Sequence, residues 1–186
     1  SKVERLIERL KELLDENHKI SERVNKELER LARENDKHSK DLIRDIERIL
    51  REVEEIVRRD GGEAEEVVRR LREVVKEVRD LLKEDADRNR ESAKEAEKLV
   101  KDSEDTSRDI LREATELVER IERDNIDRRL VEEVRRVLRE VREAAKENIR
   151  NNRESLKRHK DALRKTIEDS ARVVKRAEER IRELER

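Results

Sequence analysis

An apolar pattern repeats every 18 residues along this chain, in three long segments. In the first segment the equivalent positions of the repeat carry Leu10, Leu28 and Ile46. Eighteen residues is about five turns of a straight α-helix at roughly 3.6 residues per turn. A seven-residue repeat would impose a left-handed supercoil and an eleven-residue repeat a right-handed one. The 18-residue pattern therefore predicts nearly straight helices that pack side by side.

The composition excludes most alternatives to helix. Of 186 residues, 55% are charged, none is Phe, Tyr, Trp, Cys, Met or Pro, and only 2 are Gly. Periodic chains rich in Glu, Lys, Arg, Leu and Ala are typical of coiled coils and long helices. The 51 basic and 52 acidic residues balance, whereas disordered chains usually combine a high net charge with no periodicity. We therefore predict a folded all-α protein.

Two short breaks divide the chain into three helices, about residues 2–59, 63–123 and 127–186. The breaks are Asp60-Gly61-Gly62 and Asn125-Ile126-Asp127. Glycine supplies the left-handed residue that often ends a helix, and Asp127 has the side chain of an N-cap. Loops this short make consecutive helices antiparallel neighbours. We predict a single domain over residues 1–186, an up-down-up antiparallel three-helix bundle with helices of about 58 residues.

Each helix carries one apolar stripe, which spans an arc of about 140° in the first helix. One stripe per helix closes a three-helix core and leaves no second apolar face for a partner. The sequence therefore predicts a monomer that requires no partner. A stripe of this width also suits a four-helix core, so a homo-oligomer or a further helix supplied by a partner is the alternative.

Polar residues interrupt these stripes at positions where the repeat otherwise places Leu, Ile or Val. Asn17 and Asn35, for example, are equivalent to Val53. The full set is Asn17, Ser21, Asn25, Asn35, His38, Ser39, Asn89, Ser92, Ser103, Thr106, Ser107, Asn148, Asn152, Ser155, His159, Thr166 and Ser170. In an aligned bundle these residues fall into shared layers. Because an unpaired buried polar group costs ~1–3 kcal/mol, we predict hydrogen-bond networks that are satisfied in one register and one helix order.

The same residues offer few routes to chemistry. His38 and His159 are the candidates for metal binding or for a pH switch, because a buried neutral histidine that becomes charged destabilises a fold. The chain has no Cys and no well-spaced third ligand, so we predict no metal and no cofactor. Ser, His and Asp occur without an oxyanion-hole element or a cleft. We therefore predict no catalytic residues and no enzymatic activity.

Neither nucleic acid nor membrane is an expected partner. Basic residues alternate with acidic ones, which indicates a solvated surface rather than a nucleic-acid site. No apolar run approaches the ~20 residues that span a bilayer, and no signal or transit peptide is recognisable. We expect no natural localisation, and a soluble, cytoplasmic protein in an expression host.

The whole chain resembles computationally designed helical bundles that carry buried hydrogen-bond networks. The resemblance rests on the 18-residue repeat, the matched helix lengths, the two short loops, and the Asn, Ser, Thr and His residues clustered inside aliphatic stripes. Spectrin-like three-helix repeats are the nearest natural alternative, but they normally carry core aromatic residues. The resemblance implies a structural scaffold with no natural biochemical function. The alternative is a designed interaction module that self-associates or accepts a further helix, made pH-responsive by core histidines.

Overall fold

The computed structural model describes residues 2–60, 65–124 and 127–185. It contains three α-helices of 59, 59 and 58 residues, α1 (Lys2–Asp60), α2 (Glu65–Arg123) and α3 (Arg128–Glu185). The predicted all-α class is confirmed, and each predicted helix end lies within two residues of the observed one. The glycines of the first predicted loop, and Asn125 and Ile126 of the second, lie outside the described residues, so their turn conformations stay predictions.

The chain forms two compact units, each built from one part of every helix. Unit 1 comprises Ser1–Glu29 and Glu95–Arg158, and unit 2 comprises Arg30–Lys94 and His159–Arg186. Within each unit the three helical parts pack as a three-helix bundle. That the 186 residues make a single domain stays a prediction.

Two of the helices begin as their sequences indicate. The first turn of α2 carries Glu65 and Glu66, whose negative charges favour the positive end of the helix dipole. Before α3, the backbone carbonyl of Asp127 accepts the N–H groups of Leu130 over 3.0 Å and Val131 over 3.1 Å. This bonding places Asp127 at the N-cap position, directly before the first helical residue.

Contacts between helices give their relative directions. In unit 1, Arg135 of α3 pairs with Glu122 of α2, and further along α3 Arg153 pairs with Glu104. Residues with higher numbers on α3 contact residues with lower numbers on α2, so the two helices are antiparallel. In unit 2, Arg79 and Ser92 of α2 meet Glu178 and His159 of α3 in the same antiparallel order.

Helices α1 and α3 are parallel in unit 1, because Lys11 and Ser21 of α1 meet Glu133 and Asn148 of α3, with numbers that rise together. The predicted up-down-up arrangement is confirmed.

Aliphatic side chains fill the core of each unit. Along α1 the buried positions step by three or four residues from Leu10 to Val53, which is the spacing of one helix face. In unit 2 the core cluster consists of Leu42, Ile46, Ile49, Val53, Val67, Leu71, Val74, Val78, Val174, Ala177 and Ile181. Among the described residues no large hydrophobic side chain is exposed. The apolar stripes are therefore buried where the helices pack against one another.

Candidate functional site

Polar side chains replace aliphatic ones at several buried positions of both units. These residues are Asn17, Asn35, Ser39, Asp85, Asn89, Ser92, Ser103, Ser107, Asn148, Asn152, Ser155, His159 and Ser170. All of them except Asp85 belong to the set named from the sequence. Because burying a polar group is unfavourable unless it is hydrogen-bonded, the partners of each group decide what these positions contribute.

The most completely bonded group, called here the Asn148 cluster, consists of Asn17, Ser21 and Asn148 in unit 1. The amide nitrogen of Asn148 on α3 donates to the side-chain oxygen of Asn17 on α1 over 2.7 Å and also to the Asn17 backbone carbonyl. The Asn148 side-chain oxygen accepts from the Ser21 hydroxyl over 2.6 Å. The Asn17 amide nitrogen donates to the carbonyl of Val141 over 3.0 Å. Both amides thus use donor and acceptor, and every bond joins α1 to α3.

Two smaller contacts continue the polar layer in unit 1. The amide nitrogen of Asn152 on α3 donates to the Ser103 hydroxyl on α2 over 3.2 Å, and Ser103 donates to the carbonyl of Val100 over 2.7 Å. The Ser155 hydroxyl on α3 donates to the side-chain oxygen of Asn25 on α1 over 2.9 Å. Helix α3 therefore carries polar bonds to both of its neighbours in this unit.

In unit 2 a buried carboxylate is at the centre of what we call the Asp85 cluster, formed by Ser39, Asp85 and Asn89. Asp85 of α2 is 3% exposed. Its two oxygens accept from the Ser39 hydroxyl of α1 over 3.1 Å and from the Asn89 amide over 3.5 Å. Hydrogen bonds of this kind offset part of the cost of burying a carboxylate. The cluster joins α1 to α2.

Asp85 is the functional residue that the sequence analysis missed. The repeat did contain the signal, because a step of 18 residues makes Asp85 equivalent to Val67 and Ser103. Val67 and Ser103 are themselves buried. Acidic residues mostly lie on the surface, so residue type alone does not mark Asp85 as buried.

The second polar contact of unit 2 pairs Ser92 of α2 with His159 of α3. The Ser92 hydroxyl lies 3.4 Å from the Nε2 atom of His159, and the histidine tautomer decides which group donates. His159 is 5% exposed, and desolvation by burial lowers the pKa of His159 below its ordinary value. The neutral imidazole is therefore the form that the fold favours.

Three residues of the predicted set, Asn25, His38 and Thr106, are exposed. His38 is exposed, so the prediction that it lies inside the bundle with His159 is wrong. Asn25 is also exposed, although it accepts the bond from Ser155. Asn25 directly follows the buried Val24, and His38 directly precedes the buried Ser39. Because one position along a helix turns the side chain by about 100°, both side chains point away from the core.

The two threonines of the set bond within their own helix. Thr106 is exposed and donates to the carbonyl of Asp102 over 2.9 Å. Thr166 is half-buried and donates to the carbonyl of Ala162 over 3.0 Å. A threonine hydroxyl reaches the carbonyl four residues earlier without help from a partner helix. Neither threonine therefore contributes the cross-helix bond expected of it.

Among the described residues, four buried side-chain atoms have no hydrogen-bond partner: Asn35 Nδ2, Ser107 Oγ, Asn152 Oδ1 and Ser170 Oγ. Asn35 was expected to join a hydrogen-bond network, but its amide nitrogen has no partner. Each unpaired buried group costs ~1–3 kcal/mol. The polar layers therefore differ in how many of their groups are hydrogen-bonded. In the Asn148 cluster, both asparagine amides donate and accept a hydrogen bond.

Ion pairs between helices accompany the buried clusters at the surface. In unit 1 the Arg153 guanidinium donates to Glu104 over 3.2 Å, and in unit 2 Arg180 donates to Glu54 over 2.8 Å. Hydrogen bonding to these carboxylates raises the pKa of Arg153 and of Arg180. Pairs of this kind at exposed positions favour one partner and register more than they add stability.

In residues 2–60, 65–124 and 127–185, no three His, Asp or Glu side chains come together in a way that holds a metal ion. None of the described helices has a stretch long and apolar enough to cross a membrane.

The fold has a counterpart among solved structures, a computationally designed three-helix bundle. The two structures align with a TM-score of 0.65 at 15% sequence identity, over 98% of this chain and 87% of the other. This chain resembles a designed helical bundle. At that identity the likeness concerns the fold alone. No protein-family model matches the chain, and no curated protein sequence matches it.

Proposed function

We propose that this chain is a designed structural scaffold without enzymatic activity, in which buried polar clusters set the register and order of the helices. The observation that carries the proposal is the Asn148 cluster. Asn148 is 6% exposed and Asn17 is fully buried, yet both amides find partners on the opposite helix. Such complete pairing across two helices is what a specificity device requires.

The physical basis is the difference between apolar and polar layers. Aliphatic layers separated by one 18-residue repeat are chemically alike, so they discriminate weakly between registers. Sliding α3 by one turn, about 5.4 Å, would separate Asn148 from Asn17 and from Ser21. Each buried group left unpaired costs ~1–3 kcal/mol. The cluster therefore penalises a wrong register much more than a Leu or Val layer does.

The clusters also connect different pairs of helices, which supports a role in helix order. In unit 1 the Asn148 cluster joins α1 to α3, and Asn152 joins α3 to Ser103 of α2. In unit 2 Asp85 joins α2 to α1, and His159 joins α3 to Ser92 of α2. A bundle with its helices exchanged would lose these bonds.

The test replaces the Asn148 cluster by aliphatic residues and measures register directly. The variant carries Asn17→Val, Ser21→Ala and Asn148→Leu, and spin labels are attached to cysteines at Arg23→Cys and Arg150→Cys, two exposed positions of unit 1. The chain has no other cysteine, so labelling is specific. In the labelled parent we expect double electron–electron resonance to give one narrow distribution of distances between the two spin labels. The apolar variant should show a broadened or split distribution at unchanged helicity.

An equally narrow distribution at the same distance in both proteins would remove the register role. A loss of helicity in the variant would instead show that the cluster is needed for folding itself. Circular dichroism on the same samples separates these two results.

The alternative function is a designed interaction module that self-associates or accepts a further helix. Among the described residues no large hydrophobic side chain is exposed, which leaves such a helix little apolar surface to bury. We therefore propose a monomer. Light scattering measures the mass in solution, and a mass of two or more chains would favour the interaction module.

A further inference from the structure

A groove between α2 and α3 in unit 2 is lined by more basic than acidic residues. Its volume is about 260 Å³, and it is lined by Arg72, Val75, Arg79, Glu178, Ile181 and Arg182. Three guanidinium groups thus surround one carboxylate. Ile181 is 1% exposed and forms, with the half-buried Val75, an apolar floor.

The single carboxylate of the groove is already engaged. The Arg79 guanidinium donates to Glu178 over 2.8 Å, and this hydrogen bond raises the pKa of Arg79. Arg72 and Arg182, by contrast, form no ion pair within the described part of the chain. Two guanidinium groups from opposite walls of the groove, one on α2 and one on α3, are therefore available to an anion.

The sequence explains why Arg72 has no acidic neighbour on its own helix. Basic residues recur along one side of α2 as Arg69, Arg72, Lys76, Arg79 and Lys83. Side chains three and four positions apart are neighbours on a helix surface, so this stripe places cation beside cation. It extends over about 21 Å at ~1.5 Å per residue. The stripe concentrates positive charge where much of the surface alternates in sign.

We propose that this groove binds a compact oxyanion with two acidic groups, of the pyrophosphate type. A guanidinium offers parallel N–H donors that match phosphate oxygens in a bidentate fork. Arg72 and Arg182 supply one such fork from each wall, while the charge of Arg79 is balanced by Glu178. The site is independent of the proposed scaffold function, because none of its residues belongs to the buried polar clusters.

The experiment is a calorimetric titration of the full chain with inorganic pyrophosphate at low ionic strength, where exposed charges are least screened. The test variant is Arg72→Gln with Arg182→Gln. The matched control, Arg44→Gln with Arg48→Gln, removes the same charge from two exposed arginines of unit 2 that already lie 3.7 Å from Asp41 and Asp45. A third variant, Glu178→Gln, removes the only carboxylate among the described residues that line the groove.

The parent and the control should bind pyrophosphate with the same affinity, in the millimolar range. The test variant should bind at least about fivefold more weakly, because two charge-assisted forks are lost. Glu178→Gln should bind more tightly. The proposal is overturned if the parent shows no saturable binding, if the control weakens as much as the test variant, or if Glu178→Gln leaves the affinity unchanged.

Discussion

Asn148 of α3 donates its amide N–H to the side-chain oxygen of Asn17 on α1 over 2.7 Å, which joins residues 131 positions apart inside the core of unit 1. The same Asn148 amide accepts from Ser21 through its oxygen. Neither asparagine has an aliphatic substitute that keeps these bonds. The pair therefore exchanges some burial of apolar surface for a contact that exists in one alignment of α1 with α3.

Removing the centre of this cluster should destabilise the protein. Asn148→Leu leaves the Asn17 side-chain oxygen and the Ser21 hydroxyl without their partner, and we expect a loss of ~1–3 kcal/mol in the free energy of unfolding. Denaturant unfolding followed by circular dichroism measures it. The control is Asn151→Leu, one turn or less away on α3, whose half-buried side chain takes no part in the cluster. Equal losses in the two variants would contradict the role of the cluster.

The Asp85 cluster should behave differently when it is removed whole. Asp85→Ile alone leaves Ser39 and Asn89 without their acceptor and should destabilise unit 2. The triple variant Ser39→Val, Asp85→Ile and Asn89→Leu installs the residues that the repeat places at equivalent positions. It should be at least as stable as the parent, because replacing a whole buried polar group by packed aliphatic residues is often neutral or favourable. Denaturant midpoints of the three proteins decide it, and a triple variant weaker than the single one contradicts the expectation.

Stability should depend on pH through His159. Burial lowers the pKa of His159 in the folded protein, so the unfolded chain takes up a proton first as pH falls below its ordinary value of ~6.5. The unfolded state then binds more protons than the folded one, and the free energy of unfolding decreases. The contribution of neutral His159 to the free energy of unfolding is fully present above pH ~6.5. It is lost as pH falls from there to the lower pKa of the folded protein, and below that pKa the free energy of unfolding no longer changes through His159.

The measurement compares denaturant midpoints at pH values of about 7.5 and 5.2, where carboxylates with pKa values near 4 still contribute little. His159→Asn should flatten the difference between the two midpoints. His38→Asn is the matched control, because His38 is exposed, and it should leave the difference as in the parent. An undiminished difference in His159→Asn would show that another group causes the pH dependence.

The protein should be strongly helical and resistant to heat. Long helices with regular patterning and short loops resemble chains that melt above ~90 °C. Circular dichroism followed during heating tests this, and a cooperative transition below about 60 °C contradicts it.

Much of the buried polar set was predictable because the 18-residue repeat fixes which residues share a helix face. Asn17, Asn148 and Asn152 are buried as their repeat positions indicate. His38 was misplaced because it sits at the edge of the stripe, where one position of about 100° separates core from solvent. Asp85 was missed because a charged residue was not expected at a core position.

The sequence alone determined the helices, their ends, their antiparallel order and the face that each one buries, because these follow from local periodicity and from short loops. The tertiary structure decided which polar atoms meet. Asn35 and Asn17 occupy equivalent positions of the repeat, yet the amide nitrogen of Asn17 donates to Val141 and that of Asn35 has no partner. The reason is that a hydrogen bond depends on the distance and angle between atoms of different helices, which a pattern along one helix does not specify.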